Sequence, residues 1–330
     1  MFELNKERCH EIGEKFRSLD LKPDAFQNLF PVPRVRGSSL VEYTQGHALV
    51  IFYTSAICHQ TKSLVGKING QHLKGWNYLY KAFKRCAETD PDLLHPNFME
   101  HLSTNMLRYI VSDKQKLNTS KLTQVEERVE LLRDAAARLK QYNHSDPRTL
   151  YGEGRLNGEK GIYQRMNEYK AFSMDPTFSK KTTVFVMGMV RSLLWLELLD
   201  PGNLKPMPDY HKERFALRTG MVEVTDNAIL TKLKARQHQE RNIDDALRIE
   251  TGNAFLKMVD SSRRDFFDLE LLAWAFARNY CADSTQCEYP KDSKGDWDKY
   301  SEPLTRSCPF ENVCTRRTTL WEPTVDTLLH

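Results

Sequence analysis

An all-α fold is what this 330-residue sequence predicts, on three observations. Apolar residues recur at three- and four-residue spacing, most clearly at Val125, Val129, Leu132, Ala136 and Leu139. That period keeps one face of a helix in a core. No comparable stretch alternates apolar and polar residues as a half-buried strand does. The breaks between periodic stretches, SDPRT, MDPTF, DPGN and RTGM, carry proline or glycine, which end helices for steric and entropic reasons.

Taken in order, helices are expected over residues 5–19, then over 41–64 around the apolar run 48–58, and over 71–88 with Trp76 and Tyr78. Residues 96–111 and the strongly periodic 122–142 follow, the latter closed by SDPRT. Helices over 161–172 and 180–199 are bounded by MDPTF and DPGN. Residues 209–218 run from a proline-rich entry to RTGM, and 226–235, 243–259 and 264–280 complete the set. Turn residues concentrate at 143–158, which suggests a division into 1–149, 150–280 and 281–330.

A content of 40 % hydrophobic and 28 % charged residues is ordinary for a globular chain and excludes fibrous and disordered classes. The run 48–58 is too short to span a bilayer and is broken by Thr54 and Ser55, and the N-terminus is charged from its third residue. A cytoplasmic protein without a targeting segment or membrane association is therefore expected. The net charge of +4 permits a polyanionic partner without demanding one.

In PMPDYHKERFALRTG, Asp209 follows a proline and opens a helix. A carboxylate there feels the positive end of the helix dipole and the orphan N–H groups of the first turn, which hold it as an anion. Two readings stay open, an N-cap and a fixed anion with a chemical task. Of the seven cysteines, Cys9, Cys58 and Cys86 stand alone, whereas Cys281 and Cys287 are six apart, as are Cys308 and Cys314. Four paired thiols suit a metal or cluster site, because thiolates are soft ligands for zinc and iron–sulfur groups. Two disulfides or four unlinked thiols are the alternative.

AFARNYCADSTQC and CPFENVC together resemble the four-cysteine iron–sulfur loop that closes many helix-hairpin-helix DNA glycosylases of the endonuclease III type. In that family the middle two cysteines lie close together; here twenty residues separate Cys287 from Cys308. Upstream, SKKTTVFVMGMV and then PMPDYHKERFALRTG are similar to the family's lysine–threonine helix start and its aspartate followed by a histidine and an arginine. Lys181, Asp209, His211 and Arg214 match those positions in order. MDPTFSKK stands where the family has a glycine-rich hairpin turn, and LLDPGNLKP lengthens the interval to the aspartate. The similarity covers residues 150–317.

The resemblance implies a helix-hairpin-helix glycosylase-like fold with an enlarged N-terminal helical portion and a C-terminal cluster loop. It also implies a [4Fe–4S] cluster on Cys281, Cys287, Cys308 and Cys314, with zinc as the alternative. The implied reaction is hydrolysis of the N-glycosidic bond of a modified base. Asp209 would stabilise the oxocarbenium-like sugar or orient water. Lys181, with Lys180 beside it as a rival, would attack the sugar carbon if lyase activity accompanies base release. The expected partner is double-stranded DNA with a flipped base, bound by a monomer. His59, Gln60 and Trp76 are candidates for substrate contact, as are Lys180, His211 and Arg214. Lys232–Arg241 and Arg316–Arg317 supply basic segments for a polyanion, although a solvated helical face accounts for the first equally.

The enlarged N-terminal portion leaves room for a bulky base, and removal of hypermodified bases from invading viral DNA is one role it would fit. Two other classes stay open. One is a nucleoside or nucleotide N-glycosidase resembling the queuosine-salvage family, which shares an aspartate followed by tyrosine, as in Asp209–Tyr210. The other is a non-enzymatic nucleic-acid binder with a structural metal.

Overall fold

Several helices start where a side chain satisfies the orphan N–H groups of a first turn, as at Asn5, Ser103, Asp209, Asp226 and Asp265. The computed structural model of the protein describes residues 1–19, 40–61, 64–112, 121–282, 287 and 308–325. The expected loop between Cys287 and Cys308, and the tail beyond residue 325, lie outside the described residues.

Helices dominate, as the periodicity predicts. The chain forms two compact units, Met1–Leu29 with Pro206–Thr327, and Phe30–Lys205 with Leu328–His330. The sequence division near residue 150 and the structural one between Lys205 and Pro206 fall in different places.

In the first unit, α1 (Lys6–Arg17) is capped by Asn5, which accepts from the Arg8 N–H. It packs on α12 (Arg241–Ser262). Helices α10 (Tyr210–Thr219) and α13 (Phe266–Asn279) are capped by Asp209 and Asp265, and α11 (Asn227–Lys234) by Asp226. Strand β1 (Phe2–Leu4) pairs antiparallel with β4 (Val222–Val224), Glu3 opposite Glu223. Phe16, Phe215, Phe276 and Phe310 pack as one aromatic core, with Phe16 to Phe310 4.8 Å and Phe276 to Phe310 4.6 Å between centroids.

The second unit is built around α2 (Leu40–Ala56), which packs against α3 (Trp76–Thr89), α6 (Val125–Tyr142) and α9 (Lys180–Arg191). Phe52 of α2 meets Tyr169, Phe172 and Phe185 at 5.4–5.6 Å. Short helices α4 (Pro96–Met99), α5 (Thr104–Ile110), α7 (Ile162–Met166) and α8 (Lys170–Ser173) fill in around them.

Five expected helices are corrected. Residues 71–74 are not the start of a helix but strand β3 (Gln71–Lys74), hairpinned to β2 (Val65–Ile68). Asn69 and Gly70 turn the chain with φ of 50° and 78°, the left-handed pair that a two-residue hairpin requires. The helix expected over 41–64 stops at Ala56, before that hairpin. The one expected over 96–111 is two, because Ser103 caps a new start by accepting from the Met106 N–H. Residues 161–172 also divide, at buried Tyr169, whose hydroxyl accepts from Asn143 at 2.7 Å. Helix α9 ends at Arg191 rather than 199, with Leu193 in the left-handed region at φ 56°.

Candidate active site and four-cysteine centre

Asp209 lies in extended backbone at the N-terminus of α10 and is 6 % exposed. Its Oδ1 accepts from the N–H groups of His211 at 3.1 Å and Lys212 at 3.0 Å. The residue is therefore the helix cap, and the same bonds aim its carboxylate. The approach to the helix is pinned separately: the Met207 N–H donates to Glu270 at 2.9 Å, and Lys212 donates to the Met207 carbonyl at 3.0 Å while pairing with Glu270.

His211 is half-buried, with its ring 4.0 Å from that of Tyr210. Arg214 is buried, and all three of its guanidinium nitrogens are engaged inside the unit. Nε donates to the Cys281 carbonyl at 2.9 Å, one terminal nitrogen to Glu322 at 2.7 Å, and the other meets His211 Nδ1 at 3.0 Å. One turn on, Arg218 donates to the carbonyls of Cys281 and Ala282 at 3.1 and 2.7 Å. Helix α10 thus carries the Asp209 anion at its start and two arginines that grip the first cysteine along its length.

The second cysteine pair is held by packing. Phe310, between Cys308 and Cys314, is fully buried in the aromatic core. The Cys308 N–H donates to the Cys287 carbonyl at 3.4 Å. All seven cysteines are unlinked. Cys308 lies within electrostatic reach of Cys287, Cys314 and Cys281 together, and burial, followed by those neighbours, pushes its thiol up to about 12. Burial likewise raises Cys281 to about 11 and lifts Cys314. Such thiols hold their protons at neutral pH, and a metal would have to displace them.

Two backbone groups already donate to sulfur, the Arg316 N–H to Cys314 at 3.3 Å and the Phe310 N–H to Cys308. Donors of that kind suit thiolates that carry charge into a cluster. Among the described residues, no three His, Cys, Asp or Glu side chains converge as a single ion requires. A zinc ion needs its thiolates at about 2.3 Å from one point, whereas a cluster several atoms wide holds them further apart. The donor set, four thiols with two backbone donors, suits a soft-metal group, cluster or zinc.

Lys181 lies in the other unit, at the start of α9. Asp175 and Ser179 build that start: the Asp175 carboxylate accepts from the Phe178 and Lys180 N–H groups at 3.3 and 3.4 Å, and Ser179 takes a φ of 50°. Non-glycine residues thus make the turn that precedes the lysines. Lys180 is half-buried and Lys181 buried. The Lys181 amine donates to the Ala56 carbonyl at 3.0 Å, and burial is the main cause of its fall to about 8.

His59 is 1 % exposed, within electrostatic reach of Lys181 and Arg128. Burial, then those cations, hold its ring neutral. Gln60 is half-buried at φ 43°, and Trp76 stacks on Tyr80 at 6.1 Å. The structure therefore brings His59 and Lys181 together in one unit, and Asp209, His211, Arg214 and the four cysteines together in the other. The basic segments are only partly available: Arg316 pairs with Glu311, and Arg317 lies 3.5 Å from Glu223.

The sequence reading missed Glu213, Arg218, Glu322 and Arg128. Glu213 and Arg218 had a signal, since they fall four residues after Asp209 and Arg214 and share their helix faces. Nothing local marked Glu322 or Arg128, whose partners Arg214, and Ile57 and His59, are distant in the chain. No helix among the described residues is long and apolar enough to cross a membrane. The chain matches no protein-family model and no curated protein in sequence.

Proposed function

We propose that the chain is an N-glycosidase that releases a modified base from DNA, with Asp209 as the anion facing the sugar as the base departs. What carries this reading is the Asp209 carboxylate, nearly buried yet aimed by two helix N–H groups. A preorganised negative charge in a site shielded from water stabilises a developing oxocarbenium ion far more than it would in solution. The resemblance of the aspartate segment and of the cysteine pairs to the endonuclease III type points the same way.

Cys281, Cys287, Cys308 and Cys314 would hold an iron–sulfur cluster, which supplies a rigid cross-link between segments distant in the chain. Arg214 and Arg218 tie that cross-link to α10 through the Cys281 carbonyl. Protein purified without oxygen should be brown, and a colourless preparation containing stoichiometric zinc would remove the cluster.

The deciding test is release of free base from duplex DNA carrying a panel of natural modifications, with Asp209→Asn beside the wild type. Release by the wild type, and at least a hundredfold less by the variant, is the expected result. Equal release by both would end the role assigned to Asp209. No release from any DNA, together with turnover of a modified nucleoside monophosphate, would move the chain to base salvage. Duplex binding without turnover would leave a nucleic-acid binder.

A further inference from the structure

We propose that Arg236, seated over the ring of Trp321 and flanked by Lys232 and Lys234, is a contact for the phosphate backbone of duplex DNA. The proposal takes from the N-glycosidase reading only the identity of the polymer. Its physical basis is a guanidinium that is held in place yet has its donors unused. The guanidinium carbon of Arg236 lies 3.0 Å from the Trp321 ring centroid. The side chain is exposed and makes no hydrogen bond or ion pair among the described residues. Stacking on an aromatic face fixes such a group while leaving its edge N–H donors open to a ligand.

The seat is built before any ligand arrives. Trp321 is half-buried, and the guanidinium of buried Arg218 lies 4.4 Å from the same ring. The chain is tied down on both sides of Trp321. The Leu320 carbonyl accepts from Arg218 at 2.9 Å, Glu322 accepts from Arg214 at 2.7 Å, and the Thr324 carbonyl accepts from the Gln239 N–H at 3.0 Å. Arg236 itself stands where α11 ends. Its N–H donates to the Leu233 carbonyl at 3.3 Å and that of Gln237 to the Lys232 carbonyl at 3.0 Å, with Arg236 at φ 53°. Glycine usually fills that position of a helix-ending turn. An arginine there carries its side chain on a backbone that L residues rarely adopt.

Those features select a chemical class. Residues 231–238 expose three cations, an amide and an imidazole, while Leu233 among them is buried. Lys232 and Lys234 have no ion pair among the described residues, whereas Arg241 beyond them lies 3.7 Å from Asp245. A lipid surface calls for large apolar side chains on the same face as the cations, and none is exposed in this stretch. A phosphate backbone offers closely repeated charges for the lysines and a fork of two oxygens for a guanidinium. Lysines in a last helical turn also offset the helix dipole, but that role asks nothing of Arg236 or of its seat on Trp321.

The test uses full-length protein and a short unmodified DNA duplex, with affinity read by fluorescence anisotropy over a salt series. Arg236→Gly, which suits the backbone at that position, should weaken binding about fivefold at low salt and reduce the slope of log K against log salt by about 0.9. Arg236→Lys keeps the charge and loses the fork, so it should keep the slope and bind about threefold more weakly. Trp321 is a positioning residue, and Trp321→Leu should behave as Arg236→Lys does. A circular-dichroism melt checks folding, and Arg236→Lys decides if Trp321→Leu does not fold. Arg17→Ala, which removes an exposed arginine of α1, is the charge-matched comparison and should leave the slope unchanged.

An unchanged slope in Arg236→Gly, or an equal fall in Arg17→Ala, would overturn the contact, the second by showing undirected positive charge. Wild-type affinity in both Arg236→Lys and Trp321→Leu would overturn the seat on the ring. Phosphatidylserine vesicles and polyglutamate serve as rival anions, and Arg236-dependent binding to either, with duplex binding unaffected, would overturn the choice of partner. Base release on the same preparation separates the two ideas. Release by the wild type with duplex binding indifferent to Arg236 sinks the contact and leaves the N-glycosidase standing. Arg236-dependent duplex binding without release from any DNA does the reverse.

Discussion

At the scale of single residues, Asp209 does two jobs that substitution can separate. Asn caps a helix about as well as Asp, whereas Ala costs about 1 kcal/mol when it replaces a cap. Asp209→Asn should therefore melt close to the wild type while losing base release, and Asp209→Ala should lose about 1 kcal/mol of stability as well. Denaturant titration of both variants checks this. Glu213 gives a second prediction. It lies one turn beyond Asp209, fully buried, with Asp244 and Arg248 of α12 and Glu322 of the C-terminal segment acting on it. Burial, then the Asp244 charge, pushes its carboxyl well above the usual range despite Arg248.

A raised folded-state pKa gives stability that is complete below the unfolded value and lost as pH rises. Glu213→Gln, which mimics the protonated acid, should thus gain on the wild type steadily from about pH 4.5 upward. A constant difference between the two from pH 4 to pH 8 would show that Glu213 stays ionised. For Lys181 the sign reverses. Its folded value is lowered to about 8, so Lys181→Met should be most stabilising below pH 8, with the advantage shrinking between pH 8 and about pH 10.5.

At the scale of elements, local grammar explains several helix starts and some of the breaks. Asn5, Ser103, Asp209, Asp226 and Asp265 all cap in the structure, and each is a residue type whose short side chain reaches the first-turn N–H groups. Ser103 was legible but masked by the apolar residues on either side. Asn69–Gly70 is a strong hairpin signal that was passed over because the aromatic residues after it read as helix. Close packing also makes a counter-intuitive prediction for α1. Gly to Ala inside a helix ordinarily gains about 1 kcal/mol. At Gly13 an added methyl would collide with the Ser261 hydroxyl and lie 2.8 Å from the Met258 carbonyl oxygen of α12. Gly13→Ala should instead destabilise by about 1–3 kcal/mol, read from its denaturation midpoint.

At the scale of the whole molecule, the chain makes two units by joining its N-terminal residues to its C-terminal third. The β1–β4 pairing and the α1–α12 packing make that join. The turn-rich stretch 143–158 lies within the second unit, which stitches it in: Asp146 caps a 3-10 turn at Pro147–Tyr151, Arg148 pairs with Asp146 at 2.7 Å, and Trp195 donates to the Arg148 carbonyl at 3.0 Å. A cluster on the four cysteines would staple the first unit alone. Removing iron, or introducing Cys314→Ser, should therefore accelerate amide exchange in α10 and residues 308–325 and leave α2, α6 and α9 unchanged. Exchange followed by mass spectrometry checks it, and uniform acceleration across both units would count against a local staple.

What the sequence by itself determined were properties decided within a few residues: the helical period, the caps, the cation pair on α10, and the paired spacing of the cysteines. Those depend on contacts at three and four residues, so they can be read without knowing the fold. Only the tertiary structure decided that Arg214 and Arg218 grip the Cys281 carbonyl, that Phe310 anchors the cysteine loop in a core shared with Phe16, and that His59 sits beside Lys181. Those partners are separated by tens to hundreds of residues, and burial brings them together by shape and apolar area, which leave no local period in the chain.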